Sequence, residues 1–354
     1  MKGMRALTVQ PGTPGSVAVT EVPYPVPGPE ALLVDGLAVG VCGTDREIIA
    51  GEYGWAPPGH ERLVLGHESL GRVREAPSGS GFGPGDLVVG VVRRPDPVPC
   101  GACAHGRFDM CRNGQYTERG IKQLDGFASE QWCIEAEYAV RLDPGLVEVG
   151  VLMEPTSIVA KAWDGIERIG GRAWFDPRTV LVTGAGPIGL LAAMLGTQRD
   201  LDVHVLDRVD SGPKPRLVAD LGATYHCDGL EAAVGVMGEP DIIIEATGAA
   251  TLVVGAMTHT SSSGVVCLTG VSSPGRRIDF DVGSVNRDIV LENDVVFGSV
   301  NASVEHYVQA AAALASADHD WLARLVSRRA PLANFGDAFE VRGDDVKVVL
   351  TLED

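Results

Sequence analysis

Residues 179–198 read TVLVTGAGPIGLLAAMLGTQ. The apolar run TVLVT predicts a buried strand, and LLAAMLG predicts a helix. Between them Gly184-Ala185-Gly186-Pro187-Ile188-Gly189 fits G-x-G-x-x-G. In such a turn the first glycine permits the tight bend and the second lets the backbone approach a pyrophosphate. The third lets helix and strand pack closely, with the phosphates at the helix N-terminus. A strand, this turn and a helix in that order predict a Rossmann dinucleotide site, with Gly184, Gly186, Pro187, Ile188 and Gly189 against the cofactor.

Working outward, the next strand, LDVHVLDR, ends at Asp207. An acidic residue there accepts hydrogen bonds from the adenosine ribose and disfavours a 2′-phosphate. Arg208 beside it is a guanidinium that suits that phosphate. Asp207 makes NAD the expected cofactor, and Arg208 keeps NADP open. The strands PDIIIEATG and GVVCLTGV follow. Carboxyl ends of parallel strands line the ligand crevice, which brings in Thr247 and Gly248. Strands alternating with helices imply a parallel sheet with crossover helices, an α/β fold.

The flanks differ. The first 150 residues are rich in Gly and Pro, with short β-like runs such as ALLVDGLAVG and DLVVGVV, and read as a mostly β unit. Near residue 155 the texture changes, and SIVAKAWDGIERIG looks helical. Near the end VEHYVQAAAALAS reads as a helix, and the tail FEVRGDDVKVVLTL reads as a strand that rejoins the first unit. The expected division is 1–160 plus 308–354 for the mostly β unit and 161–307 for the cofactor unit.

At 354 residues the chain is long for one domain. It contains no apolar run of about 18 residues, the length that spans a bilayer. The N-terminus, MKGMRALTVQPGTPG, reads as a first strand and not as a signal peptide. The expected location is the cytoplasm. A net charge of −18 repels nucleic acid and anionic membranes, so neither is an expected partner. The seven cysteines are odd in number and come with no secretion signal, so a disulfide framework is not expected.

Cys42-Gly43-Thr44-Asp45 and Gly66-His67-Glu68 form a second constellation. A thiolate and an imidazole suit zinc, and catalytic zinc keeps one position open. A carboxylate from elsewhere would complete the set, and Glu154 in LMEPTS stands at the start of the helix leading into the cofactor unit.

These motifs and the later GAGPIG occur in the order and spacing of zinc-dependent medium-chain alcohol dehydrogenases, which the chain resembles. VGVCGTDREIIAGEYG, VVRRP, DMCRNGQYTERGI, MEPTSIVAKA and GSVNASVEHY resemble the glucose 1-dehydrogenase branch, over nearly the whole chain. The resemblance implies a GroES-like β catalytic domain into which the Rossmann unit is inserted. It implies Cys42 and His67 as zinc ligands, with Glu68 and Glu154 binding directly, through water, or in exchange. Zinc would lower the pKa of the substrate hydroxyl, so that an alkoxide releases hydride to the nicotinamide. Thr44 would pass the proton toward bulk water, and Asp45 would support the zinc site. Position 47, often a relay histidine in such enzymes, is Glu47 here. Glu118 and Asn301 would meet sugar hydroxyls. Some sugar-oxidising relatives have a histidine near position 292, where this chain has Glu292.

Cys100, Cys103 and Cys111 fit the latter three ligands of that family's structural zinc lobe. A closed structural site wants four ligands. Asp96 is the first candidate for the fourth and His105 the second. Cys133, Cys227 and Cys267 read as buried small residues. The implied reaction is oxidation of an aldose at C1 to the lactone by a homodimer or homotetramer. A polyol or cyclitol dehydrogenase and a non-catalytic NAD(P)-binding regulator are the alternatives. A regulator has no need of an open metal site.

Overall fold

The structure is a computed structural model that describes residues 3–273 and 275–353. The stretch 179–198 folds as read, with strand Thr179–Thr183 followed by helix Pro187–Thr197. The strand lies in a six-stranded sheet whose neighbours all run parallel. Its order is Thr224–His226, Asp202–Leu206, Thr179–Thr183, Ile242–Glu245, Val265–Leu268 and Val295–Gly298. Numbered along the chain this is 3-2-1-4-5-6, the doubly wound order, which reverses beside the first strand. Val180, Leu181 and Val182 are fully buried, as are Ile243 and Ile244, because helices cover parallel strands on both faces.

The glycine turn depends on its glycines. Gly184 has φ +93°, the left-handed region that favours glycine. A Cβ on Gly189 would sit 1.7 Å from the Gly184 carbonyl oxygen. Helix and strand reach this closeness only without that side chain.

The other unit is mostly β. Its main sheet runs Ala139–Arg141, Leu87–Gly90, Glu68–Glu75, Ala31–Val41, Lys347–Thr351 and Val326–Pro331, and Gln131–Glu135 also pairs with Ala31–Val41. Lys347–Thr351 is antiparallel to Ala31–Val41, with Val348 opposite Val41, so the tail does return to the first unit. The expected first strand forms as Met4–Val9, between Ala18–Val22 and Leu63–Val64. Leu7, Val34, Phe127, Trp132 and Leu350 pack in the core behind these sheets. A small sheet joins Arg93–Arg94, Thr117–Arg119 and Gln123–Leu124, with Arg93 opposite Glu118.

The chain divides into two compact units, Met1–Ser157 with Asn301–Asp354, and Ile158–Val300. A boundary at 307/308 would cut helix Val304–Ser316, whose Tyr307, Ala310 and Leu314 are buried and which packs on Ala139–Arg141 of the first unit. That packing keeps the helix with the first unit, so the second boundary falls at 300/301, while the first, at 157/158, lies within helix Met153–Gly170. Among the described residues no helix is long and apolar enough to cross a membrane.

Candidate active site

The metal-type constellation forms in the first unit. Cys42 is the N-cap of helix Gly43–Ile49, and the Asp45 carboxylate reaches back to accept from the Cys42 N–H at 2.9 Å. That local capping arrangement fixes where the Cys42 thiol starts. His67 follows Gly66, whose φ is +88° and whose added Cβ would meet Val39 at 2.7 Å. Glycine thus lets the loop carry His67 inward. Ligand atoms of Cys42, His67 and Glu68 all lie within 4.8 Å of one another.

The surroundings favour a metal. Buried Asp45 places Oδ1 3.3 Å from His67 Nδ1. A carboxylate on one ring nitrogen orients the ring and directs the other nitrogen to a metal. Burial alone would lower the pKa of His67, but the Asp45 carboxylate and the Cys42 thiol hold it well above its ordinary value. A thiol, an oriented imidazole and a carboxylate make a zinc-type donor set. Glu154 lies outside this group, half-buried at the start of helix Met153–Gly170. Burial pushes its carboxyl up to about 7, with His67 and Lys347 opposing and Glu68 adding to the rise.

Lys347 was not visible to sequence reasoning. Its buried ammonium donates to both Glu68 oxygens at 2.6 Å and to the Val41 carbonyl at 3.3 Å. Gly40 makes room for the pair, since a Cβ there would lie 1.9 Å from Glu68 Oε2. Thr44 is half-buried in the first turn of its helix, and Glu47 is exposed one turn on.

The expected sugar residues come together in the same unit. Asn301 Nδ2 donates to Glu118 Oε1 at 2.5 Å, across 183 positions of sequence. Arg93, a second residue that sequence reasoning missed, donates to the same oxygen from Nε at 3.1 Å and Nη2 at 3.0 Å.

The cysteine lobe gathers Cys100, Cys103 and Cys111. Amide N–H donors of Arg112 and Cys103 lower the Cys100 thiol to about 6, which favours the thiolate a metal needs. Neither candidate fourth ligand joins the group. Asp96 Oδ1 closes a turn by accepting from the Val98 N–H at 2.8 Å. The His105 ring turns back to the Gly101 carbonyl of its own helix at 2.7 Å. Of the remaining cysteines only Cys267 is buried. Cys133 is half-buried, and Cys227 is exposed.

In the second unit a cavity of about 500 Å³ opens at the glycine turn, lined among others by Gly184, Gly186, Asp207, Arg208, Thr247 and Cys227. Pro187, Ile188 and Gly189 form the first helical turn and do not line it. Gly248 instead donates its N–H to the buried Glu245 carboxylate at 3.1 Å, shaping the strand end. Asp207 Oδ2 accepts from the Ala185 N–H at 2.7 Å and from Lys214 at 3.3 Å, and Oδ1 accepts from the Arg208 N–H at 2.7 Å. Burial opposes its charge, but these donors hold the carboxyl below the usual range. Lys214 is thus a further cation lining the cavity. Glu292 lies at the C-terminal end of helix Val282–Glu292, 3.5 Å from Ser262 Oγ and outside the cavity lining.

Comparison with known proteins agrees with this geometry. Residues 28–144 match the alcohol dehydrogenase GroES-like domain, and 147–352 match the glucose dehydrogenase C-terminus family. The chain is 41% identical to glucose 1-dehydrogenase 1 of Caldivirga maquilingensis over 99% of both chains. It is also 41% identical to glucose 1-dehydrogenase of Thermoproteus tenax, covering 99% of this chain and all of that one. The chain belongs to the glucose dehydrogenase family. The similarity of this glucose dehydrogenase family member extends to solved structures. Haloferax mediterranei glucose dehydrogenase, solved in complex with NADP, Zn and gluconolactone, superposes with a TM-score of 0.91 at 34% identity, over 99% of this chain and all of that one. The α/β architecture of a Rossmann sheet inserted into a GroES-like unit is that of the family, as is an NAD(P)-dependent, zinc-containing oxidoreductase.

Proposed function

We propose that this chain oxidises the C1 hydroxyl of glucose, or of a closely similar aldose, to the lactone, with NAD as hydride acceptor. The gathering of Cys42, His67 and Glu68 within 4.8 Å, backed by Asp45, carries the reading. The similar Haloferax mediterranei enzyme, with its zinc, nucleotide and lactone, supports the reaction class.

Zinc, when bound there, supplies a Lewis acid that lowers the pKa of the substrate hydroxyl. Cys42 and His67 hold it, and Glu68 and Glu154 contribute a ligand directly, through water, or in exchange. Asp45 fixes the His67 ring. Thr44 accepts the hydroxyl proton and passes it outward, while the C1 hydride leaves for the nicotinamide. Glu118 and Asn301 receive the sugar hydroxyls. Cys100, Cys103 and Cys111 hold a second, structural zinc.

The Asp207 carboxylate in the cavity favours ribose hydroxyls and so NAD. Arg208 and Lys214 offer two cations to a 2′-phosphate, so NADP serves as second cofactor. The reading extends to a cytoplasmic homodimer or homotetramer. Seven free cysteines suit a reducing compartment, and Val295–Gly298 is an edge strand able to pair with a second copy.

The test is kcat/KM for aldoses and polyols with NAD and NADP in parallel. Glucose or another aldose should rank first, with NAD above NADP. A polyol outranking every aldose would overturn the substrate, and a higher efficiency with NADP would overturn the cofactor preference.

A further inference from the structure

Glu118 is anchored through one oxygen only. Its side chain is 5% exposed, and Oε1 takes all three donors, Nε and Nη2 of Arg93 and Nδ2 of Asn301. Among the described residues Oε2 accepts no hydrogen bond. An ionised carboxyl offers about four lone-pair sites. Oε2 is not among the buried unsatisfied atoms, so one oxygen is saturated by protein donors while the other stays open to solvent, an acceptor that an arriving hydroxyl takes over from water.

Arg93 is itself held on every side. Nη1 donates to the Asp109 carbonyl at 2.9 Å, and the guanidinium lies 3.7 Å over the Tyr116 ring. Lys122 Nζ lies 4.1 Å from the same ring and donates to the Gly114 carbonyl at 2.7 Å. Strand register sets Arg93 directly opposite Glu118. A planar five-donor fork fits this arrangement, and a lysine ammonium does not reproduce it.

We propose that Arg93 is a positioning residue: by occupying Glu118 Oε1 with two N–H donors it turns Oε2 toward one hydroxyl of the sugar. The assignment rests on the aldose reading above. Without the fork only Asn301 Nδ2 holds the carboxylate, its orientation loosens, and the contact to that hydroxyl weakens before and during the reaction alike. The loss therefore falls on KM more than on kcat.

The experiment is steady-state kinetics of the wild type, Arg93→Met, Arg93→Lys, Glu118→Gln and the double variant Arg93→Met/Glu118→Gln, with glucose and each monodeoxyglucose. Arg93→Met should raise KM for glucose about tenfold or more while kcat changes by less than about threefold. Arg93→Lys should recover only part of the loss. The double variant should be no worse than Glu118→Gln, because positioning an absent acceptor adds nothing. One deoxyglucose, the one lacking the hydroxyl Glu118 receives, should be insensitive to Arg93→Met. If Arg93→Met fails to fold, Arg93→Lys carries the same comparison. Effects of the two substitutions that multiply, an unchanged KM, or an equal loss for every deoxyglucose would overturn the assignment alone. No aldose turnover by the wild type would overturn the aldose reading and this assignment with it.

Discussion

Two buried carboxylates in the first unit each have a buried cation, and each pair leaves the acid ready for a different task. Lys347 grips both oxygens of Glu68, whereas Arg93 grips one oxygen of Glu118. A buried charge that loses its partner is costly, about 3–5 kcal/mol. Lys347→Met should therefore lower stability by roughly that amount, read as an earlier midpoint in urea unfolding. A midpoint equal to the wild type would show that Glu68 does not depend on Lys347. Cys42, Asp45 and His67 were legible in sequence because their motifs are local: a helix cap and a glycine loop place them. Lys347 was not, because it meets Glu68 across 279 positions in an unremarkable apolar tail. Asp96 is the opposite case. Its nearness in sequence to the cysteines suggests a ligand; its Oδ1 closes a tight turn to Val98, while its buried Oδ2 accepts no hydrogen bond among the described residues.

At the scale of elements, the glycine turn is where local sequence and tertiary packing demand the same thing. Gly189→Ala places a methyl 1.7 Å from a backbone oxygen, which a rotamer change does not relieve. The helix must shift away from the strand, and its N-terminus moves from the phosphates. NAD affinity measured by calorimetry should fall about tenfold or more, which is about 1.4 kcal/mol. Undiminished affinity would mean that the cofactor does not use this helix N-terminus. The central strands of the parallel sheet were readable because Thr179–Thr183, Asp202–Leu206, Ile242–Glu245 and Val265–Leu268 are apolar runs between helices, whereas edge strand Thr224–His226, three residues long, was not. The small sheet carrying Arg93 and Glu118 was not, since strands as short as Arg93–Arg94 have no period to read. Glu118 and Asn301 were placed at sugar hydroxyls only through resemblance, and nothing in either residue's neighbourhood announces the hydrogen bond between them.

Across the whole chain, the last strand completes what the first strands begin. Lys347–Thr351 lies beside Ala31–Val41 and delivers the Glu68 partner to the metal-type site. The first unit thus holds both cysteine-containing clusters, Cys42 with His67 and Glu68, and Cys100 with Cys103 and Cys111. If the first is catalytic and the second structural, their metals are separable. The direct measurement is zinc content per chain together with glucose-dependent NADH formation, in the wild type and in Cys42→Ala. The wild type should hold about two zinc ions per chain, one in each kind of site. Cys42→Ala should keep one zinc and an unchanged far-ultraviolet circular dichroism spectrum, while glucose oxidation falls to background. Wild-type turnover in Cys42→Ala, or in protein freed of zinc, would contradict a metal-assisted oxidation at Cys42, His67 and Glu68.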